Sequence, residues 1–167
     1  MGLGKRLKEF IGKNKKMIIL LAVLIVWLGV MLFLSSQNGT ETENTSSFLA
    51  KWIANMIYDD PRQWQITPID SAFRKAAHVV IYAVFGGILY SLSSCFEIKA
   101  WHKMGICTAI VVLVSVLDEL HKLPIDGRHF DIPDVFLNIV GGMVVLLIIT
   151  IVNIIKHSHF KKKQGGR

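Results

Sequence analysis

The chain has 167 residues, 52% of them hydrophobic and 19% charged, and its mean hydropathy is +0.47. That length suits one domain, but the composition is too apolar for a soluble one, and the charges gather between long apolar runs, as in membrane proteins. The net charge of +7 arises from basic clusters beside those runs, where anionic lipid is the nearer partner, so membrane lipids and no nucleic acid are expected as partners.

In chain order, a basic cytoplasmic segment over residues 1–16 precedes the first apolar run, Met17–Leu34, eighteen residues without a charge. At about 1.5 Å per residue this run reaches roughly 27 Å, close to one hydrocarbon core. A cleaved signal peptide has a shorter core and a small-residue cleavage site. This run is longer and ends Phe33-Leu34-Ser35-Ser36-Gln37, so it reads as an uncleaved anchor.

Residues 35–70 are polar and acidic, but Phe48, Leu49, Trp52, Ile53, Met56 and Ile57 recur at helical spacing. They predict a short amphipathic outer helix opening after Thr45-Ser46-Ser47, ending before Asp59-Asp60-Pro61, and lying on the outer leaflet or over the bundle. The triplets starting at Asn38 and Asn44 match the glycosylation pattern and read as chance occurrences.

Three more membrane helices are predicted, over about 74–94, 104–120 and 134–155, and residues 156–167 form a basic tail. Between the last two helices, Asp126-Gly127 signals a turn and Pro133 before Asp134 marks a helix start. Ala83, Gly87, Ser91 and Cys95 form a small-residue ridge suited to close helix packing. No internal repeat is evident. Cys95 and Cys107 fall near the cytoplasmic helix ends, where a disulfide is not expected, and membrane packing is their favoured reading.

Thirteen of the nineteen Lys and Arg residues lie before the first helix, between the second and third, or after the fourth. Only Glu9 and Glu97 accompany them, giving that side +11 and the other side −4. The positive-inside rule then puts both termini in the cytoplasm. The predicted fold is an all-α membrane protein, a four-transmembrane-helix bundle in the cell membrane with a short amphipathic outer helix.

Helical spacing collects a polar cluster at the outer ends of these helices. Arg74, His78, Tyr82 and Gly86 share one face of the second, with Lys75 beside them. Asp118 and Glu119 end the third, followed by His121 and Arg128, and Asp134 and Asn138 share a face of the fourth. Ion pairing alone explains any one of these residues, but the whole set holds more unlike groups than pairing needs, which points to a site. Arg and Lys suit phosphate or carboxylate recognition, and a His beside carboxylates can move protons. Without an HExxH or paired-His pattern no metal site is expected, and no cofactor fingerprint, nucleophile triad or phosphate loop is present, so no catalytic residue is assigned.

At these residues the chain resembles the VanZ-like membrane protein family. The matching stretches are Ser35-Ser36-Gln37, Arg74-Lys75-x-x-His78-x-x-x-Tyr82, Asp118-Glu119-x-His121, Gly127-Arg128 and Asp134-x-x-x-Asn138-x-x-Gly141. Lys122 departs from the pattern, where the family commonly has Gln. The resemblance implies a small bacterial membrane protein associated with resistance to teicoplanin-type glycopeptides, and it supplies no established reaction. The leading expectation is a non-transporting factor whose outward site binds an anionic or peptidic envelope component, such as a lipid headgroup, a cell-wall precursor or a lipoglycopeptide. The alternatives are an enzyme acting on a lipid-linked phosphate or ester at the outer leaflet, a transporter, and a bundle with internal ion pairs and a partner-binding role.

Overall fold

The computed structural model describes residues 3–37 and 39–164, with side chains described over 14–37 and 46–156. The side chains of the basic segments Lys5–Lys13 and Lys161–Arg167, and of Asn38 and Asn44, lie outside the described residues. The described residues form five helices: α1 (Leu3–Ser35), α2 (Gly39–Ile57), α3 (Gln63–Ser93), α4 (Ala100–His121) and α5 (Ile132–Gln164). Among the described residues four stretches are long and apolar enough to cross a bilayer: Asn14–Ser35, Gln63–Ser93, Ala100–His121 and Ile132–Lys156. The protein is therefore a multi-pass membrane protein. An even number of crossings puts both termini and the 94–99 connection on one side, and α2 and the 122–131 connection on the other.

Most of these helices are longer than their apolar runs, because hydropathy reports the hydrocarbon-crossing part and not the hydrogen-bonded part. Asn14 leaves helical geometry (φ −109°, ψ 15°) at the base of the α1 span. The 31 residues of α3 reach about 46 Å, more than the roughly 30 Å core, so its first turns stand clear of the bilayer. Those turns begin at residue 63, eleven residues before the predicted start, and tolerate Pro68 in the second turn. Gln65 Oε1 accepts the Arg62 N–H at 2.9 Å, capping the N-terminus. Asp60, with φ 57°, turns the chain from α2 into α3.

The amphipathic helix differs from the expectation in two ways. It starts at Gly39, so Thr45-Ser46-Ser47 lies inside α2 and does not cap it. Its packed face is Ala50 and Ala54, both fully buried against Ile66 and Ile69 of α3. Phe48, Trp52 and Met56 are left exposed, where the interfacial region of a bilayer would receive them. Small side chains let the two backbones approach, and the large ones turn outward.

Helix α3 is the hub of the bundle, packing on each of the other four and most extensively on α5. The core joins Met31, Tyr82, Phe85, Leu89, Tyr90, Cys107, Val111 and Leu146, with Tyr82 and Phe85 edge to face at 6.0 Å. The closest approach lies at Gly86 against Gly142 and at Gly141 against Val79, where an added Cβ would sit 2.8 Å and 2.3 Å from backbone oxygens. The predicted ridge is thus displaced by one residue, since Gly87 has only the Val145 side chain near it, at 3.6 Å. The crossing falls on the face of α3 that carries His78 and Tyr82. Ile25, Val26, Phe33 and many other large apolar side chains on the outside of the bundle are exposed, as a surface meant for lipid requires.

Candidate functional site

The polar residues meet on the membrane face opposite the termini. Asn138 lies one turn before Gly141, so the tight α3–α5 crossing brings it to His78, whose Nδ1 stands 2.9 Å from Asn138 Oδ1. An amide oxygen only accepts, so Nδ1–H donates. The other ring nitrogen, Nε2, lies 3.5 Å from Asp134 Oδ2. Asp134 is in the first turn of α5, where the free N–H groups and the helix dipole favour a carboxylate.

Beneath this trio is a buried ion pair. Glu119 is 0% and Lys122 3% exposed, and Lys122 Nζ donates to Glu119 Oε1. Glu119 Oε2 accepts the Asp131 N–H at 3.3 Å, and Lys122 Nζ is 3.9 Å from Asp134 Oδ2. Ser115, fully buried, donates to the Val135 carbonyl at 3.1 Å and ties α4 to the start of α5. Charges at such depth survive only when paired, and the chain pairs them within three helical residues.

Ser35-Ser36-Gln37 clasps the end of α1 to the end of α4. Ser35 Oγ donates to the Asp118 carbonyl at 3.4 Å. The Ser36 hydroxyl donates to Leu32 O at 2.7 Å and stands 3.0 Å from His121 Nε2, which is left to be the donor there. Arg128 Nε donates to Gln37 O at 3.1 Å. The turn that aims Arg128 uses Gly127 at φ 74°, as Asp126-Gly127 foretold.

A cleft of about 510 Å³ opens over this array. Its polar part includes Arg74, Lys75, His78, Tyr82, Lys122 and Arg128, with Asp118, Asp131 and Asp134 among them. Its apolar part comes from Met31 and Leu34 of α1, Leu49 of α2, and Phe73, Ala77 and Ile81 of α3. Two buried donors beside it have no hydrogen-bond partner, the Tyr82 hydroxyl and Asn138 Nδ2. The Asp118 and Ser115 side chains lie near the hydroxyl, outside hydrogen-bond geometry.

The ten residues predicted for the site divide into three groups. Arg74, Lys75, His78, Tyr82, Asp118, Arg128 and Asp134 line the cleft. Glu119 and Asn138 are buried behind it, supporting Lys122 and His78. His121 stays outside, exposed and turned to Ser36. Arg74 reaches the cleft, but its ionic partner is Asp70, one turn back at 3.1 Å. Sequence reasoning missed Asp70 and Lys122, although Asp70/Arg74 at i,i+4 and Glu119/Lys122 at i,i+3 are standard helical pair spacings.

Neither curated proteins nor solved structures gave a match to this chain. A family model, VanZ/LLP1, matches residues 20–153, running from α1 through the cleft to the far end of the α5 span, and the chain belongs to the VanZ/LLP1 family.

Proposed function

We propose that the cleft faces the cell exterior, with both termini in the cytoplasm, and holds the anionic headgroup of an envelope amphiphile. By occupying a lipid-linked envelope component or a lipoglycopeptide, the protein would support resistance to teicoplanin-type glycopeptides. The orientation rests on the basic excess beside the termini. The observation that carries the ligand class is the pair of buried donors without partners, Tyr82 Oη and Asn138 Nδ2, beside a cleft that Lys122 also lines. Unsatisfied buried donors are costly, and a phosphate or carboxylate supplies the acceptors they lack. The apolar lip from α1, α2 and α3 suits the chain of the same molecule.

The first test is binding of dodecyl phosphate to the purified protein in a neutral maltoside detergent. Saturable binding lost in Tyr82→Phe and Arg74→Ala supports the reading, and no binding above that of a neutral alkyl glycoside ends it. The second is glycopeptide susceptibility of a host expressing wild type, Arg74→Ala, Glu119→Ala or Asn138→Ala at equal levels. Equal susceptibility in all of them and in the empty host removes the resistance role.

One observation favours an enzymatic second reading. His78 is fixed at Nδ1 and presents Nε2 beside Asp134 at the cleft wall, the placement a general acid or base needs on a phosphate or ester. Turnover of labelled envelope lipids by wild type and not by His78→Ala would establish it. Absence of turnover with and without divalent ions would leave binding alone.

A further inference from the structure

With Nδ1–H committed to Asn138, His78 Nε2 turns either a second proton or a lone pair toward Asp134 Oδ2. The 3.5 Å between them is long for a charge-assisted N–H···O bond, which runs about 2.7–2.9 Å. It matches the edge between two ligands of one metal, because bonds of roughly 2.0–2.1 Å at the tetrahedral angle put neighbouring ligand atoms about 3.3–3.4 Å apart. Glu119 supplies a third position. One ligand atom from each of His78, Glu119 and Asp134 lies within 4.8 Å of the other two. Asn138 stands where a metal-binding histidine takes the partner that fixes its ring. The Tyr82 hydroxyl, 1% exposed and without a hydrogen-bond partner, lies within electrostatic reach of Glu119, with capacity for a water on such an ion.

The cradle already contains a positive charge. Lys122 Nζ is paired with Glu119 Oε1 and lies 3.9 Å from Asp134 Oδ2, and Lys122 also lines the cleft. We propose that His78, Glu119 and Asp134 form a site for a divalent transition metal of the zinc or cobalt class, at which the Lys122 ammonium is the resident competitor. The two carboxylates need a cation in either state. When metal enters, the flexible lysine stem carries Nζ into the cleft, and when metal leaves, Nζ returns.

The test uses the full chain in detergent, titrated with Co2+ and followed by its visible ligand-field absorption. Wild type gives a saturable band, Lys122→Gln binds about tenfold or more tightly because the competitor is gone, and His78→Ala loses the band. A Lys122→Gln protein that binds no more tightly than wild type overturns the proposal, as does a band retained in His78→Ala or absent from both wild type and Lys122→Gln. If Lys122→Gln does not fold, wild type carries the test through its own lysine, acylated with and without millimolar Zn2+ and read by mass spectrometry. Zinc raises modification at Lys122 severalfold in wild type and not in His78→Ala. Equal modification with and without zinc overturns the proposal whatever the fate of the headgroup reading, which the cobalt and zinc measurements do not address.

Discussion

The α3–α5 crossing makes a stability prediction that a graded glycine series can test. A Cβ on Gly141 would lie 2.3 Å from the Val79 carbonyl oxygen and 2.9 Å from Val79 Cα. Both are backbone atoms of a helix packed on all its neighbours, so neither can turn aside, and the helices must separate by about 1 Å to restore ordinary contact. Overpacking of that kind costs about 1–3 kcal/mol or somewhat more, against which the helix propensity of alanine returns up to about 1 kcal/mol. Gly86→Ala meets the Gly142 oxygen at 2.8 Å and is milder. Gly29 and Gly105 have nothing within 4 Å of the added atom, so alanine there is neutral or slightly stabilising. Thermal unfolding in one detergent is the assay, and the expected order of melting temperature is Gly29→Ala and Gly105→Ala at or above wild type, then Gly86→Ala, then Gly141→Ala. A Gly141→Ala protein as stable as Gly29→Ala would refute the crossing, and with it the route by which Asn138 reaches His78.

Lys122→Met leaves Glu119 buried without its cation and destabilises by about 3–5 kcal/mol, whereas Lys122→Met with Glu119→Met recovers most of that loss. A double-mutant cycle by detergent melting checks this, and additive losses would contradict the pairing. Arg74→Ala costs about 1–3 kcal/mol, less than Lys122→Met, because Arg74 is 44% exposed although its loss leaves the 8%-exposed Asp70 carboxylate without its ionic partner, and it abolishes dodecyl phosphate binding. A cysteine at Asp126 in a background lacking Cys95 and Cys107 reacts with a membrane-impermeant maleimide on intact cells, and one at Lys99 reacts only after lysis. The reverse pattern inverts the topology.

Four crossings were legible because each apolar run is long enough by itself, and the grouping of Arg74, His78 and Tyr82 because a helix repeats every 3.6 residues. The α3 extension was not legible. Gln63, Gln65 and Asp70 carry no hydropathy signal, and the helix there is held by packing on Ala50 and Ala54 of a separate element. The same blind spot hid Asp70, which reads as loop until α3 is known to start at residue 63. Lys122 was legible only as a departure from a family pattern. Its burial depends on the chain folding back through Asp131, whose N–H meets the same Glu119 carboxylate, and that is a tertiary fact no local spacing contains. His121 was placed in the cluster by its nearness in sequence to Glu119. Two residues along a helix turn a side chain by about 200°, away from the cleft and toward Ser36.

The placement of Gly141 one turn from Asn138, and of Gly86 one turn from Tyr82, has a consequence for how the site tolerates change. In most folds the packing face and the reactive face of a helix are distinct, so one can vary while the other is kept. Here α3 presents Tyr82 and Gly86 on a single stripe to α5, and the orphan donors sit where that stripe leaves the crossing. A substitution that widens the crossing therefore lengthens the His78–Asn138 contact and releases Asn138 to turn toward water. Gly86→Ala separates the two effects, being four residues further from the cleft than Tyr82. If it lowers the melting temperature only modestly yet abolishes dodecyl phosphate binding, the donors depend on sub-ångström positioning by the crossing. If binding persists in proportion to the folded fraction, the site's geometry is held locally by the His78–Asn138 and Glu119–Lys122 pairs, and the glycines serve packing alone.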